Sequence, residues 1–191
     1  KFYPFECAPG LIGDSLTFSA QNSPQCNGVC PGGFFCRAAT GGFASESPPV
    51  QCPNGTYCAP GSSAPTPCDA GKYGEPYYPE DAMTPSPLRD EDDCKICETG
   101  FWCRAGFQNP CPIGTYNDRE GMSDVDSCSQ CTEHSTTEAV GTVSAERCIC
   151  EAGYYDRRSI SGSATPVCER CRLGMGCGDD VGISLETIPL M

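Results

Sequence analysis

Eighteen cysteines carry most of the chemical potential of this 191-residue sequence. Cys-x-x-Cys pairs stand at Cys94/Cys97, Cys128/Cys131 and Cys168/Cys171, and the middle pair is followed after 16 residues by Cys148, with Cys150 just beyond. That spacing comes close to a zinc ribbon, which gathers four thiolates or imidazoles around one ion. A Cys-x-x-Cys also does redox chemistry where a helix start lowers the pKa of one thiol, but nothing here predicts such a helix. The even count lets every thiol pair instead. Structural disulfides are therefore the expected use of Cys7, Cys26, Cys30, Cys36, Cys52, Cys58, Cys68, Cys94, Cys97, Cys103, Cys111, Cys128, Cys131, Cys148, Cys150, Cys168, Cys171 and Cys177.

No other constellation competes. Hydrolytic chemistry would rest on His134, the one histidine, set among Thr and Glu with no nucleophile motif beside it. Asp90, Glu91, Asp92 and Asp93 form the densest acidic run, and Asp118, Asp124 and Asp126 a looser set. Calcium loops converge oxygens at spacings that neither run has, so both read as solvated charge. The sequence predicts no catalytic residue, no cofactor and no metal.

What must position the cysteines is not an apolar core. Leu, Ile, Val and Phe together number 28, and the net charge is −13. A chain so poor in core formers would ordinarily stay disordered. Closing a loop of ~15 residues with a disulfide contributes about 3 kcal/mol, chiefly by restricting the unfolded chain. Disulfides at this density persist in oxidising compartments, so an extracellular or cell-surface location is expected. The chain opens at Lys1 without a leader, which reads as a mature chain or a fragment of one. No apolar run nears the ~20 residues of a membrane span. The acidic balance argues against nucleic acid and anionic membrane surfaces as partners. One basic cluster, Arg157, Arg158, Arg170 and Arg172, reads as a solvated face.

Self-similarity organises the cysteines. Cys-x-x-Gly recurs, including at Cys7, Cys30, Cys52, Cys68, Cys97, Cys111, Cys150 and Cys171, and in six of these eight copies Phe35, Tyr57, Tyr73, Trp102, Tyr116 or Tyr155 stands five residues after the cysteine. The glycine permits a sharp turn into a short strand. The aromatic is the largest apolar group available to cover a disulfide. In the second half the spacing favours neighbour pairing, 111–128, 131–148 and 150–168. In the first half two schemes stay open: closed five-residue gaps (30–36, 52–58) or interleaved bonds (36–52, 58–68). Residues 37–51 and 75–93 lack cysteine and are rich in Pro, Ser or acid, so they read as semi-rigid spacers. The expected fold is a small disulfide-rich, irregular, short-stranded β architecture, an elongated ladder of modules with little hydrophobic core. Its modules run 1–36, 37–74, 94–131 and 132–177, with an acidic Pro-rich insert at 75–93 and a tail or further element at 178–191.

The stretch from Cys111 to Tyr155, with its Cys-x-x-Gly-Thr-Tyr, Ser- and acid-rich middle and Cys-x-x-Cys, resembles the ephrin-receptor-like cysteine-rich repeat, akin to tumour-necrosis-factor-receptor modules. The stretch holding CPGGFFC and CPNGTYCAPGSSAPTPCDAGKY is similar to the variant repeated in large surface proteins of protists and algae. The resemblance implies extracellular ladder-like modules used for architecture or binding, with no family active site.

The leading functional expectation is a non-enzymatic structural protein that builds or decorates a fibre, coat or flagellar or cell-surface appendage. Its partners would be copies of itself or other extracellular structural proteins, with exposed Tyr77 and Tyr78 as candidate anchors. The alternative is a receptor-like or adhesive ectodomain that binds a protein ligand, with residues 75–110 as the contact surface. Asn54-Gly55-Thr56 is the one N-glycosylation sequon, which makes Asn54 the candidate acceptor, and Thr66-Pro67, Thr84-Pro85 and Ser86-Pro87 are candidate O-linked sites.

Overall fold

The computed structural model describes residues 6–13, 26–75, 87–172, 175, 177 and 181–184. Tyr77, Tyr78, Thr84, most of the 75–93 insert and the end of the C-terminal tail lie outside these residues.

Each Cys-x-x-Gly closes a tight turn. In residues 53–56 the Thr56 N–H donates to the Pro53 carbonyl at 3.1 Å, and Gly55 in third place has φ +80°, as a type II turn requires. The same bond recurs from Leu11 to Ala8, Phe34 to Pro31, Lys72 to Asp69, Phe101 to Glu98, Thr115 to Pro112, Tyr154 to Glu151 and Met175 to Arg172. It also runs from Ser135 to Thr132 at 3.0 Å, where His134 takes the glycine's place with φ +59°. Cys131 thus opens a repeat of its own, a ninth beside the eight that open at the cysteines named above.

Most turns lead into a two-stranded antiparallel ribbon. The strands are β1 (Phe34–Phe35) with β2 (Val50–Gln51), β3 (Thr56–Tyr57) with β4 (Thr66–Pro67), and β5 (Lys72–Tyr73) with β6 (Lys95–Ile96). After them come the hairpin β7 (Phe101–Arg104) and β8 (Phe107–Pro110), then β9 (Thr115–Tyr116) with β10 (Ser129–Gln130). The last two pairs are β11 (Ser135–Thr136) with β12 (Ile149–Cys150), and β13 (Tyr154–Asp156) with β14 (Cys168–Arg170). The seven separate ribbons among the described residues are too short to stabilise themselves in water. A four-residue helix, α1 (Arg158–Ser161), interrupts the penultimate repeat where the sequence predicts no helix.

Nine disulfides fasten the ribbons, and each joins consecutive cysteines along the chain. Short staples span a separation of 6 residues at 30–36, 52–58, 97–103 and 171–177. Long staples span 17 to 26 residues at 7–26, 68–94, 111–128, 131–148 and 150–168. The first half therefore closes on itself, and the interleaved scheme is excluded. Every repeat opens with one half-cystine and contains its partner.

The chain divides into two compact units, residues 1–96 with 104–107, and residues 97–103 with 108–191. The buried apolar positions are mostly half-cystines. In the first unit Phe35 packs with Cys52 and Cys58, and Tyr57 packs against Cys68, Leu88 and Cys94. The aromatic of one repeat thus covers the disulfide of the next. The segment 37–51, expected as a spacer, folds back onto its own ribbon: the Gly41 N–H donates to the Ser47 carbonyl, and Phe43 sets its ring edge-on to Phe34 at 5.1 Å. The end of the acidic insert is built in as well, with Leu88 buried and bridged to Tyr57.

Close backbone approach requires glycine at Gly10, Gly100 and Gly106, and most tightly at Gly106. A Cβ on Gly106, which has φ +82°, would lie 1.8 Å from the Gly55 carbonyl oxygen within the first unit. Gly153 has φ +83° but nothing within 4 Å of such a Cβ. Gly153→Ala should cost only the left-handed strain of about 1–2 kcal/mol, whereas Gly106→Ala should cost clearly more, read as a larger drop in the thermal midpoint. Equal drops would show that the close approach is not required.

Candidate functional site

The recurring feature of both units is the junction between repeats, and it is made of backbone. Between the repeats opening at Cys7 and Cys30, Ala39 N–H donates to Cys7 O at 2.9 Å, Gly10 N–H to Cys36 O at 2.8 Å and Gly13 N–H to Thr40 O at 3.0 Å. The next junction repeats the pattern with Gly61 to Cys30 at 2.7 Å, Gly33 to Cys58 at 2.8 Å and Cys36 to Ser62 at 3.0 Å. In the second unit it returns as Gly121 to Cys97 at 2.8 Å, Gly100 to Asn117 at 2.7 Å and Cys103 to Met122 at 2.8 Å. Backbone rungs leave the surface side chains free to vary. These three junctions call for no particular side chain.

One slot decides how a repeat is held. Six residues after the opening half-cystine stands a second half-cystine in the short-staple repeats, and Gly13, Gly74, Asn117, Thr137 or Asp156 in the long-staple ones. Asn117, Thr137 and Asp156 are buried. Asn117 Nδ2 donates to the Phe101 carbonyl at 2.8 Å and the Arg119 carbonyl at 2.9 Å, while its Oδ1 accepts from the Arg119 N–H at 3.1 Å. Thr137 accepts from the Gly114 N–H at 3.0 Å and donates to the Ala139 carbonyl at 2.9 Å. Side-chain hydrogen bonds thus fasten in three repeats what the short staple fastens covalently elsewhere. Sequence reading did not single out these three residues; their offset from the cysteine was the available signal.

The chemistry-bearing residues of the sequence fall into this scheme. Each Cys-x-x-Cys is split between two disulfides, its first cysteine closing one repeat and its second opening another. No cysteine is free. The acidic run 90–93 forms a single 3-10 turn before Cys94, where Asp90 accepts from the Asp92 N–H and Asp93 reaches back to the Asp90 N–H. Asp124 caps the matching turn before Cys128 in the same way. Glu91 also pairs with Lys72 at 2.7 Å, and that ammonium holds the Glu91 carboxyl below its ordinary range. Among the described residues no three His, Cys, Asp or Glu side chains converge as a metal site. The arginines, expected as a solvated face, are largely neutralised: Arg157 and Arg172 pair with Glu169, and Arg158 with Asp156.

At the junction between the repeats opening at Cys131 and Cys150, side chains make the contact. The His134 ring stacks on Tyr154 at 4.1 Å, Thr132 donates to the Pro166 carbonyl at 3.2 Å, and Arg158 donates to the carbonyls of Glu146 and Cys148. In the same unit an open depression of about 520 Å³ is lined by Glu138, Ala139, Val140, Gly141, Thr142, Val143 and Arg147. Val140 is 53% exposed there.

Asp156 gives this region a pH dependence. Burial pushes its carboxyl up, but the Arg158 N–H and guanidinium and the Val167 N–H outweigh that, so the net shift is below the ordinary 3.8. The ionised carboxylate therefore stabilises the fold fully above the unfolded pKa, and this contribution is lost as pH falls through the lower folded value. Asp156→Asn should be less stable than the native chain at neutral pH, and the gap in thermal midpoint should close in strong acid. A gap that stays constant with pH would contradict this.

No protein-family model matches the chain. Over 155 residues, 78% of its length, the chain is 31% identical to cysteine repeat modular protein A of Toxoplasma gondii. Over 62 residues, 31% of its length, it is 36% identical to sushi, von Willebrand factor type A, EGF and pentraxin domain-containing protein 1 of Mus musculus. The chain spans 4% of the first relative and 2% of the second. Its repeated turns and one disulfide per repeat, together with these likenesses, make this chain a run of disulfide-rich cysteine-repeat modules of extracellular type.

Proposed function

We propose that the chain is a non-catalytic structural segment of an extracellular modular protein. Its repeats serve as a stiff, protease-resistant spacer that builds or decorates a fibre, coat or cell-surface appendage. Packing is with copies of itself or with other extracellular structural proteins. The observation that carries this reading is the backbone rung between successive repeats, combined with one covalent staple inside each. Repeats joined in that way hold their neighbours irrespective of surface sequence. Such a body transmits force and resists local opening, which suits a strut better than a catalyst. The relatives support the extracellular modular part of the reading. Among the described residues no helix is long and apolar enough to cross a membrane.

Light scattering and electron microscopy of the purified, oxidised chain test the assembly role. The expected outcome is a filament or large homopolymer that reductant dissociates. A monodisperse monomer at high concentration would overturn packing with its own copies.

One observation favours a second reading, a receptor-like or adhesive module that binds a protein ligand. It is the open depression around Val140, where apolar side chains stand exposed between Glu138 and Arg147. On that reading Val140→Asp abolishes capture of a purified surface ligand while leaving the disulfide map and thermal midpoint unchanged. Retained capture would dispose of it.

A further inference from the structure

We propose that Asn54 is an acceptor for an N-linked oligosaccharide and that the sugar is attached before the Cys52–Cys58 staple closes. The proposal rests on the extracellular reading, because the transfer takes place in a secretory lumen.

Asn54 is the second residue of the turn 53–56 and is exposed. The same place in other repeats is taken by Pro9, Ala70, Ile113, Glu133 and Ala152, all exposed as well, and by Gly32 and Thr99, which are half-buried. An apolar ring, a methyl, a branched aliphatic and a carboxylate all fit in the exposed copies, and Asn54 is in one of these. The bonds that hold this turn do not use the Asn54 side chain: Thr56 N–H and hydroxyl to Pro53 O at 3.1 Å and 2.6 Å, and Gly55 N–H to Gly74 O at 3.1 Å. A glycan on Asn54 therefore leaves the repeat's own bonds in place. It would also shield a turn whose neighbouring half-cystines, Cys52 and Cys58, are buried just beneath it.

The order of events follows from what the folded turn does to the sequon. Sequon recognition reads the hydroxyl two residues after the asparagine. In the folded repeat the Thr56 hydroxyl donates to the Pro53 carbonyl at 2.6 Å. Gly55 at φ +80° bends the acceptor out of an extended path, and the 52–58 staple locks that bend across a separation of only 6 residues. The closed loop withholds both the hydroxyl and the extended backbone. In the open chain, Asn54 Nδ2 forms a bond to the anomeric carbon of the donor sugar, the bond from that carbon to a lipid pyrophosphate breaks, and the amide proton passes to solvent.

The test offers the full 191-residue chain, in oxidised form and in reduced and alkylated form, to an oligosaccharyltransferase with a lipid-pyrophosphate oligosaccharide donor. Peptide mass spectrometry reads occupancy at Asn54. The reduced chain should be modified at least ten-fold faster than the oxidised chain, and Asn54→Gln should remove the modification. Equal rates for the two forms would overturn the order, and no transfer to the reduced chain would overturn the site. Both outcomes stand apart from the extracellular reading, since the assay needs no cell. A second measurement, the mass of the chain secreted from a eukaryotic cell before and after a peptide N-glycosidase, should show the sugar. An unmodified Asn54 there overturns its presence in the mature protein.

Discussion

Everything in this molecule depends on one constraint: consecutive cysteines are tied together, so that each repeat closes on itself. The chain-entropy account makes this effective despite the small loops. Stabilisation grows only with the logarithm of loop length, so a staple over 6 residues contributes about 2.4 kcal/mol against about 3.2 for one over 17. Short local bonds therefore give most of what long ones would. They also keep each repeat independent of the folding of distant segments. Interleaved bonds would have tied neighbouring repeats covalently and removed the need for rungs between them.

Because the staples stay inside repeats, the junctions have to be made by something else, and backbone hydrogen bonds make them. A rung needs a donor and an acceptor at the right place and no particular side chain. It does need the two backbones to come close. That is why glycine sits where it does at Gly106, whose approach to Gly55 leaves no room for a Cβ. Phe35 and Tyr57, each five residues after its opening cysteine, add water exclusion over a disulfide, and they do so across the junction rather than within their own repeat. Covalent bonds, rungs and aromatic lids are three layers of one device, each acting at a different range.

Much of this was legible from spacing alone. The recurrence of Cys-x-x-Gly with its aromatic pointed to a turn, a short strand and a staple, and such a pattern is local enough to survive without knowledge of tertiary contacts. What escaped was carried by substitution. The repeat at Cys131 has His134 for the glycine and Thr136 for the aromatic, so it matched no template, although its cysteine spacing equals that of its predecessor. The buried Asn117, Thr137 and Asp156 escaped because a polar residue in a polar sequence carries no hydrophobic signal. Only their common offset from a cysteine marks them. The acidic run before Cys94 looked like free charge because caps and solvated carboxylates share a composition, and only the turn geometry separates them.

The repeat at Cys131 also shows how far the design can drift before a different interaction must take over. A histidine at φ +59° carries a strain that glycine avoids. Its ring offsets that strain by stacking on Tyr154, in the repeat that follows. Around it, Thr132 and Arg158 bind carbonyl groups across the same junction. Side-chain contacts of this kind are specific, unlike rungs: each needs its own partner residue, and none is interchangeable with the next repeat along. A ladder made wholly of rungs would have no distinguishable position. This junction gives the second unit a place defined by several side chains at once, and a protein built from similar steps needs such a place wherever a partner must find a particular repeat.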